Sequence, residues 1–466
     1  MNKEKLPKEL MQAAWLIVLA AIPSMLDSTM VNIAVNRLQS DLHASLNMVQ
    51  WGITGYVLAI AIAVPVAGYF IGHFNGKHVL NVALAAFAIF SVLSGLANSI
   101  DLFILFRIFQ GLAGGFITLL NVTLIMSITP RNLLGRLMSV ISVPIILAPI
   151  LGPVIGGALV EYSNWRFIFF INLPICLISI FLNHWKLQDF LPTAKGSKLD
   201  FIGIILLSGL SASLIYGLVQ GSENPSHFFN AQMLSFVALG IVLGLIYALY
   251  NRLRHGQVVL PLRFFKDRNY SAANIGIFFA GIAANGPLLL LPLYFQNSRG
   301  FSVIEAALIM IPQGLGMMVS RPRVGRLIDA IGAKSVVLVS SAICLLATLP
   351  FVFAGSHTSL IWLAIVLFVR GLGFSGLQMP MMTDIFVGLD RSDIPAASVG
   401  QRIIQNVGSS FGSAIVAVVI TSVMLSQHTV NPLQGYQTAF LVSALMLIVI
   451  AIVAFFMSSK RLPKTA

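Results

Sequence analysis

The sequence predicts an all-α membrane protein of fourteen transmembrane helices, and three observations carry that reading. The 466 residues are 58% hydrophobic and only 9% charged, far outside the range of soluble domains. Apolar runs of about 20 residues, long enough to cross a hydrocarbon core of roughly 30 Å, recur along the whole length. Basic residues fall almost entirely in alternate loops. A segment in lipid must satisfy its own backbone, so the runs are expected to be helices. A closed barrel would need alternating ten-residue strands, which the runs do not show.

In order, the runs lie at 13–36, 48–70, 78–98, 102–125, 137–160, 167–184, 200–220, 231–251, 269–295, 303–320, 335–354, 359–382, 397–424 and 436–457. The first follows Lys3, Lys5 and Lys8 as a signal peptide would, but it is too long and carries Asp27 in its second half. It reads as an uncleaved span. An even number of spans puts both ends of the chain on one side. Of 28 Lys and Arg, 22 fall on that side, while the other has Arg37, Arg166 and Arg299. This is the positive-inside pattern, so both termini are expected in the cytoplasm of a cell-membrane protein. The net charge of +13 then reflects topology and anionic lipid, with no nucleic acid as partner. All five tryptophans (Trp15, Trp51, Trp165, Trp185 and Trp362) sit near span ends, as an interfacial belt requires. Cys176 and Cys344 lie in different spans and read as core residues, not as a disulfide.

No segment outside the spans leaves room for a soluble catalytic domain. No phosphate-binding loop occurs, since Gly76-Lys77 lacks the leading glycine and is followed by His78. Neither a nucleophile–base constellation nor metal-ligand spacing appears, so the chain reads as a non-enzyme without a cofactor. Active transport would then draw on an ion gradient. A weak internal repeat supports that reading. Gly325-Arg-Leu-Ile-Asp329-Ala-Ile-Gly332-Ala-Lys334 echoes Gly68 to Lys77, and Arg370 with its glycines echoes Arg107-Ile-Phe-Gln-Gly111. The pairing aligns spans 1–6 with 9–14. It divides the chain into six-helix bundles at 1–184 and 269–466, joined by 185–268 with two inserted helices. Such repeats put the substrate near the midplane, between the halves.

The chain resembles the major facilitator superfamily, and within it the fourteen-span drug:proton antiporters of multidrug efflux type. Leu26-Asp-Ser-Thr-Met-Val-Asn-Ile-Ala34 resembles the first-span signature, and Arg107 to Gly111 the fourth-span motif. Ala148-Pro149-Ile-Leu-Gly152-Pro153-Val-Ile-Gly156-Gly157 resembles the fifth-span antiporter motif. Asn164 to Pro174 and Leu291 to Gln296 match as well. The resemblance implies a major facilitator fold and proton-coupled export of amphipathic, often cationic, toxic compounds by alternating access. It gives Asp27 the coupling role, and makes the fifth-span face a seal between the halves. It also makes the loop with Gly325, Arg326, Asp329 and Lys334 a cytoplasmic gate. In the first-half copy of that loop, Gly72 stands where the motif has aspartate.

An acid deep in a span costs roughly 2–4 kcal/mol, which makes Asp27 a functional candidate on physical grounds as well. Asp27 lies about nine residues, or roughly 14 Å, from the outer end of its span, and Arg107 about five residues, or roughly 8 Å, from that of span 4. A long guanidinium closes that gap. Burial favours the neutral acid and the guanidinium favours the carboxylate, a balance suited to a proton switch. A static pair, or a cap on a break near Pro23, is the alternative. Asn32, Gln110, Gln405 and Asn406 are candidates for the substrate cavity, with several methionines able to line an adaptable pocket. Arg370 lies deep in span 12 with no acid near it in sequence, and its role stays open. So do two other functions: export of one metabolite or neutral antibiotic, and a non-transporting sensor. The sequence also leaves open a periplasmic adaptor.

Overall fold

The computed structural model describes residues 7–130, 133–192, 200–223, 228–254, 258–386, 389–426 and 432–457, and among these the regular secondary structure is helical. The helices are α1 (Lys8–Met30), α2 (Val35–Asp41), α3 (Leu46–His73), α4 (Gly76–Leu96), α5 (Ile100–Ile128), α6 (Leu134–Tyr162), α7 (Phe167–Phe170), α8 (Asn172–Lys186) and α9 (Phe201–Glu223). They continue as α10 (Ala231–Leu253), α11 (Arg268–Leu293), α12 (Val303–Leu308), α13 (Ile311–Ile331), α14 (Ala333–Val352), α15 (Leu360–Asp384), α16 (Ile394–Ser426) and α17 (Pro432–Phe456). Eleven stretches, among the described residues, are long and apolar enough to cross a membrane. The other three predicted runs coincide with α6, α11 and the α12–α13 pair.

Polar residues at the ends of the connections start many of these helices. Ser45, Asn75, Ser99, Asn230, Asp267 and Ser359 each accept a hydrogen bond from a backbone N–H of the following first turn. An N-cap of this kind satisfies a donor that the helix cannot. Three predicted spans are broken. The first passes from α1 through a 3-10 turn (Val31–Ala34) into α2, the sixth divides at Ile171 into α7 and α8, and the tenth divides into α12 and α13. After Pro292 the end of α11 widens into a π turn, Tyr294–Ser298.

The packing repeats along the chain. α1 packs on α5, α6 and α8, α3 on α5, and α4 on α5 and α8. The same scheme recurs as α11 on α15, α16 and α17, α13 on α15, and α14 on α15 and α17. Between these sets α6 meets α12 and α13, and α16 meets α3 and α5. α9 lies on α10, α3 and α16. On the N-terminal face one apolar core runs through both sets, from Ala20 and Leu80 to Val337 and Val399. On the opposite face each set has a separate core, one around Met30 and Phe169, the other around Tyr294 and Phe351.

The tryptophan belt needs one correction. Trp15, Trp51, Trp185 and Trp362 are exposed, whereas Trp165 is 1% exposed. Its indole Nε1 donates to Asp41 Oδ2 (2.8 Å), and its ring packs edge-on against Phe103 and Phe169. A polar partner held inside the fold removed the need for an interfacial position. Cys176 and Cys344 are free and buried.

Candidate functional site

Asp27 on α1 is fully buried. Its Oδ2 accepts from Arg107 Nη1 (2.5 Å), and its Oδ1 from Gln110 Nε2 (3.0 Å) and Asn172 Nδ2 (3.3 Å). The pair meets at one depth, as the span lengths predict. Desolvating two charges costs several kcal/mol per ion, which is recovered only where geometry and further hydrogen bonds are good. Here they are. Gln110 bridges the ions, its Oε1 accepting from Arg107 Nη1 (2.9 Å). Arg107 Nε donates to Gly52 O (3.4 Å), and the guanidinium carbon lies 4.0 Å from the centre of the Tyr56 ring. Asn172 also donates to Ser91 Oγ (3.0 Å), which in turn donates to Phe169 O (2.9 Å). The cluster therefore ties α1, α3, α4, α5, α7 and α8 together.

Local sequence explains this convergence. Gly111 and Gly115 let α5 press on α3: a Cβ at Gly115 would lie 2.7 Å from Ile60 O, and one at Gly111 would strike Tyr56 O. That close approach sets Arg107 against Tyr56 and Gly52. The break at Ile171 starts α8 at Asn172, so this side chain projects from the first residue of a new helix towards Asp27. Asn172 was not among the residues expected in the site. It lies within the matched stretch Asn164 to Pro174, and only the fold assigns it a partner.

Gly152 and Gly156 of the fifth-span run pack α6 onto α1 next to Asp27. A Cβ at Gly156 would lie 3.2 Å from Met30 Cβ, and one at Gly152 would strike Thr29. This contact lies within the first set of helices, and α6 also meets α12 and α13 of the second set. Gly157 is buried; the side chains of Pro149 and Pro153 lie outside the described residues. Among the cavity candidates, Gln110 joins the cluster. Asn32 is exposed on the 3-10 turn. Gln405 accepts from Gln401 Nε2 and Arg402 Nη1 (both 3.1 Å), and Asn406 O accepts from Ser410; these three bonds stay within α16.

In the loop expected to form a gate, Gly325 is buried, and Arg326 Nε donates to Pro322 O (3.2 Å) within α13. Lys334 Nζ donates to Phe455 O (2.8 Å) on α17. The Asp329 side chain lies outside the described residues. The first-half copy gains an acid from elsewhere. Asp189, just after α8, accepts from Asn75 Nδ2 (3.0 Å) and pairs with Lys77 (3.7 Å), and these contacts hold its carboxyl below the usual carboxylate range. Neither Asp189 nor its pairing was expected from the motif, because the acid comes from more than a hundred residues along the chain.

Comparison with known proteins gives this geometry its family. The Major Facilitator Superfamily profile matches residues 17–413. The chain is 30% identical over 420 residues to the multidrug resistance protein B homolog of Mycobacterium tuberculosis, covering 90% of this chain and 77% of that one. It is 29% identical to the tetracenomycin C resistance and export protein of Streptomyces glaucescens, over 85% and 73% of the two chains. Among solved structures, the human organic anion transporter MFSD10 (TETRAN) superposes with a TM-score of 0.68 at 15% identity, over 96% of this chain and all of that one. The proton:xylose symporter XylE does so with 0.63 at 15% identity, over 95% and 96%. These relatives are transporters rather than enzymes, and the chain belongs to the Major Facilitator Superfamily of multi-pass membrane transporters.

Proposed function

We propose that this protein is a proton-coupled antiporter that exports amphipathic toxic compounds from the cytoplasm, with Asp27 as the proton site. The observation that carries the reading is a buried carboxylate with three donors on it, one of them a guanidinium stacked on an aromatic ring. With both oxygens occupied, a proton competes with Arg107 for Asp27, and a cationic substrate is not required at this acid. Protonation removes the charge that holds Arg107. It also creates an O–H that needs an acceptor. Asn172 Oδ1 is buried with no hydrogen-bond partner, and a half-turn of that amide offers it to the new proton. The cluster thus has two arrangements, each favoured by one protonation state, which is the differential interaction that coupling requires.

The rest of the machine follows from the same reading. The chain crosses the cell membrane fourteen times with both termini cytoplasmic, as two six-helix bundles (1–184 and 269–466) with α9 and α10 inserted between them. Alternating access comes from movement of one bundle against the other. The repeated packing scheme supports the two bundles, and the names of the relatives support the substrate class. Gly325, Arg326, Asp329 and Lys334 serve the gate on the N-terminal face.

The test is efflux of ethidium and a panel of amphipathic antibiotics from energised cells. Asp27→Asn is expected to abolish uncoupler-sensitive efflux at unchanged membrane expression. Full efflux by that variant removes Asp27 from the mechanism.

A further inference from the structure

Arg370 on α15 is the second-half counterpart of Arg107, and the surroundings of the two can be aligned residue by residue. Counting back twelve positions from Gly68 and from Gly325 places Tyr56 opposite Gln313; counting forward fourteen from Lys77 and from Lys334 places Ser91 opposite Thr348. Packing agrees. The guanidinium of Arg107 lies over Tyr56, and Arg370 Nη1 donates to Gln313 Oε1 (2.9 Å). Arg370 Nε donates to Thr348 Oγ1 (3.3 Å). The counterpart of Asp27 is fixed by α6 and α16. Gly152 faces Leu26 O and Gly156 faces Met30, while Gly408 faces Phe278 O and Gly412 faces Ile282 O. Asp27 therefore corresponds to Phe279, a half-buried ring.

The second half thus repeats the buried guanidinium and its polar supports but replaces the acid with an aromatic side chain. Arg370 is 4% exposed, and among the described residues no carboxylate pairs with it. Among them its side-chain hydrogen bonds go to two neutral oxygens, Gln313 Oε1 and Thr348 Oγ1. Two neutral oxygens do not offset the desolvation of a cation, and a buried charge without a counter-charge marks a place where one is supplied from outside.

We propose that Arg370 docks the anionic group of the exported compound, so that the substrates include aromatic carboxylates or sulfonates whose ring lies towards Phe279. The anion completes in the second half the ion pair that Asp27 completes in the first. This assignment rests on the exporter reading for its direction of transport, but it concerns binding and is tested as binding.

The probes are 1-naphthoate, 1-naphthamide and 1-naphthylmethylammonium, which share one ring and differ in charge. Their affinities are measured on the full-length protein in lipid nanodiscs, with empty nanodiscs as the blank. Wild type is expected to prefer naphthoate over the amide by about tenfold or more, the scale of one charge-assisted hydrogen bond. Arg370→Gln removes that preference, and Arg370→Lys keeps part of it, because the charge stays and the planar fork is lost. Phe279→Asp rebuilds the first-half pair around Arg370 and also abolishes naphthoate binding, which decides the matter if Arg370→Gln does not fold. The readout is the affinity ratio of naphthoate to naphthamide at equilibrium, which needs no proton gradient and no transport, so failed proton coupling and a failed anion site are read separately. Equal affinity of wild type for all three probes, absence of binding, or a naphthoate preference that survives Phe279→Asp overturns the proposal.

Discussion

At the scale of single residues, the ion pair of Asp27 and Arg107 differs from most surface pairs because neither partner can fall back on water. Arg107 is 1% exposed and Asp27 is fully buried. Removing one member strands the other, at a cost of about 3–5 kcal/mol, whereas removing both charges together costs much less. Arg107→Gln is therefore expected to lower the unfolding temperature of the purified protein more than the double variant Asp27→Asn/Arg107→Gln does. A single variant as stable as the double one contradicts the buried, fully paired geometry. Asp27 and Arg107 were legible in the sequence because a charge in an apolar run is conspicuous. Gln110 was expected only as a cavity residue, and Asn172 not at all, since neutral amides recur along the chain and only packing selects the two that bond to the acid.

At the scale of helices, small residues decide how close the elements come. α5 presses on α3 through Gly111 and Gly115, and α6 on α1 through Gly152 and Gly156. Gly111→Val puts a branched side chain against the Tyr56 backbone, and overpacking of this kind costs about 1–3 kcal/mol. A thermal melt in detergent is expected to show that loss, while Gly355→Ala, with nothing within 4 Å of the added Cβ, leaves the melt unchanged. The predicted runs matched the helices closely, since length and apolarity alone define them. Breaks at 31–34 and at Ile171 were not foreseen. Apolar residues continue across both breaks, so hydropathy is blind to them, and the packing of short segments around Trp165 and Asn172 determines where the helix yields.

At the scale of the whole molecule, the two sets of helices share one core on the N-terminal face and have separate cores on the other. Gly68 on α3 meets Val399 on α16 within the shared core, and a Cβ at position 68 would lie 3.7 Å from Val399 Cβ. That separation falls within the range of a disulfide, roughly 3.5–4.5 Å. The proposed alternating access requires this contact to open. Gly68→Cys/Val399→Cys is expected to cross-link under oxidation and to stop efflux, with recovery on reduction. Continued efflux by the cross-linked protein excludes movement of α16 against α3 at this point.

The sequence by itself determined that the chain is a bundle of membrane helices and that one acid and one arginine lie at matching depth. Those features follow from one-dimensional quantities: apolar length, charge count and distance from a span end. The tertiary structure alone decided that Asn172 completes the Asp27 cluster, that Asp189 pairs with Lys77 beside the first-half loop, and that Arg370 is held by Gln313 and Thr348 with no carboxylate among the described residues. In each case the partner comes from a different helix or a distant loop, and no spacing along the chain encodes which side chain a folded helix will meet.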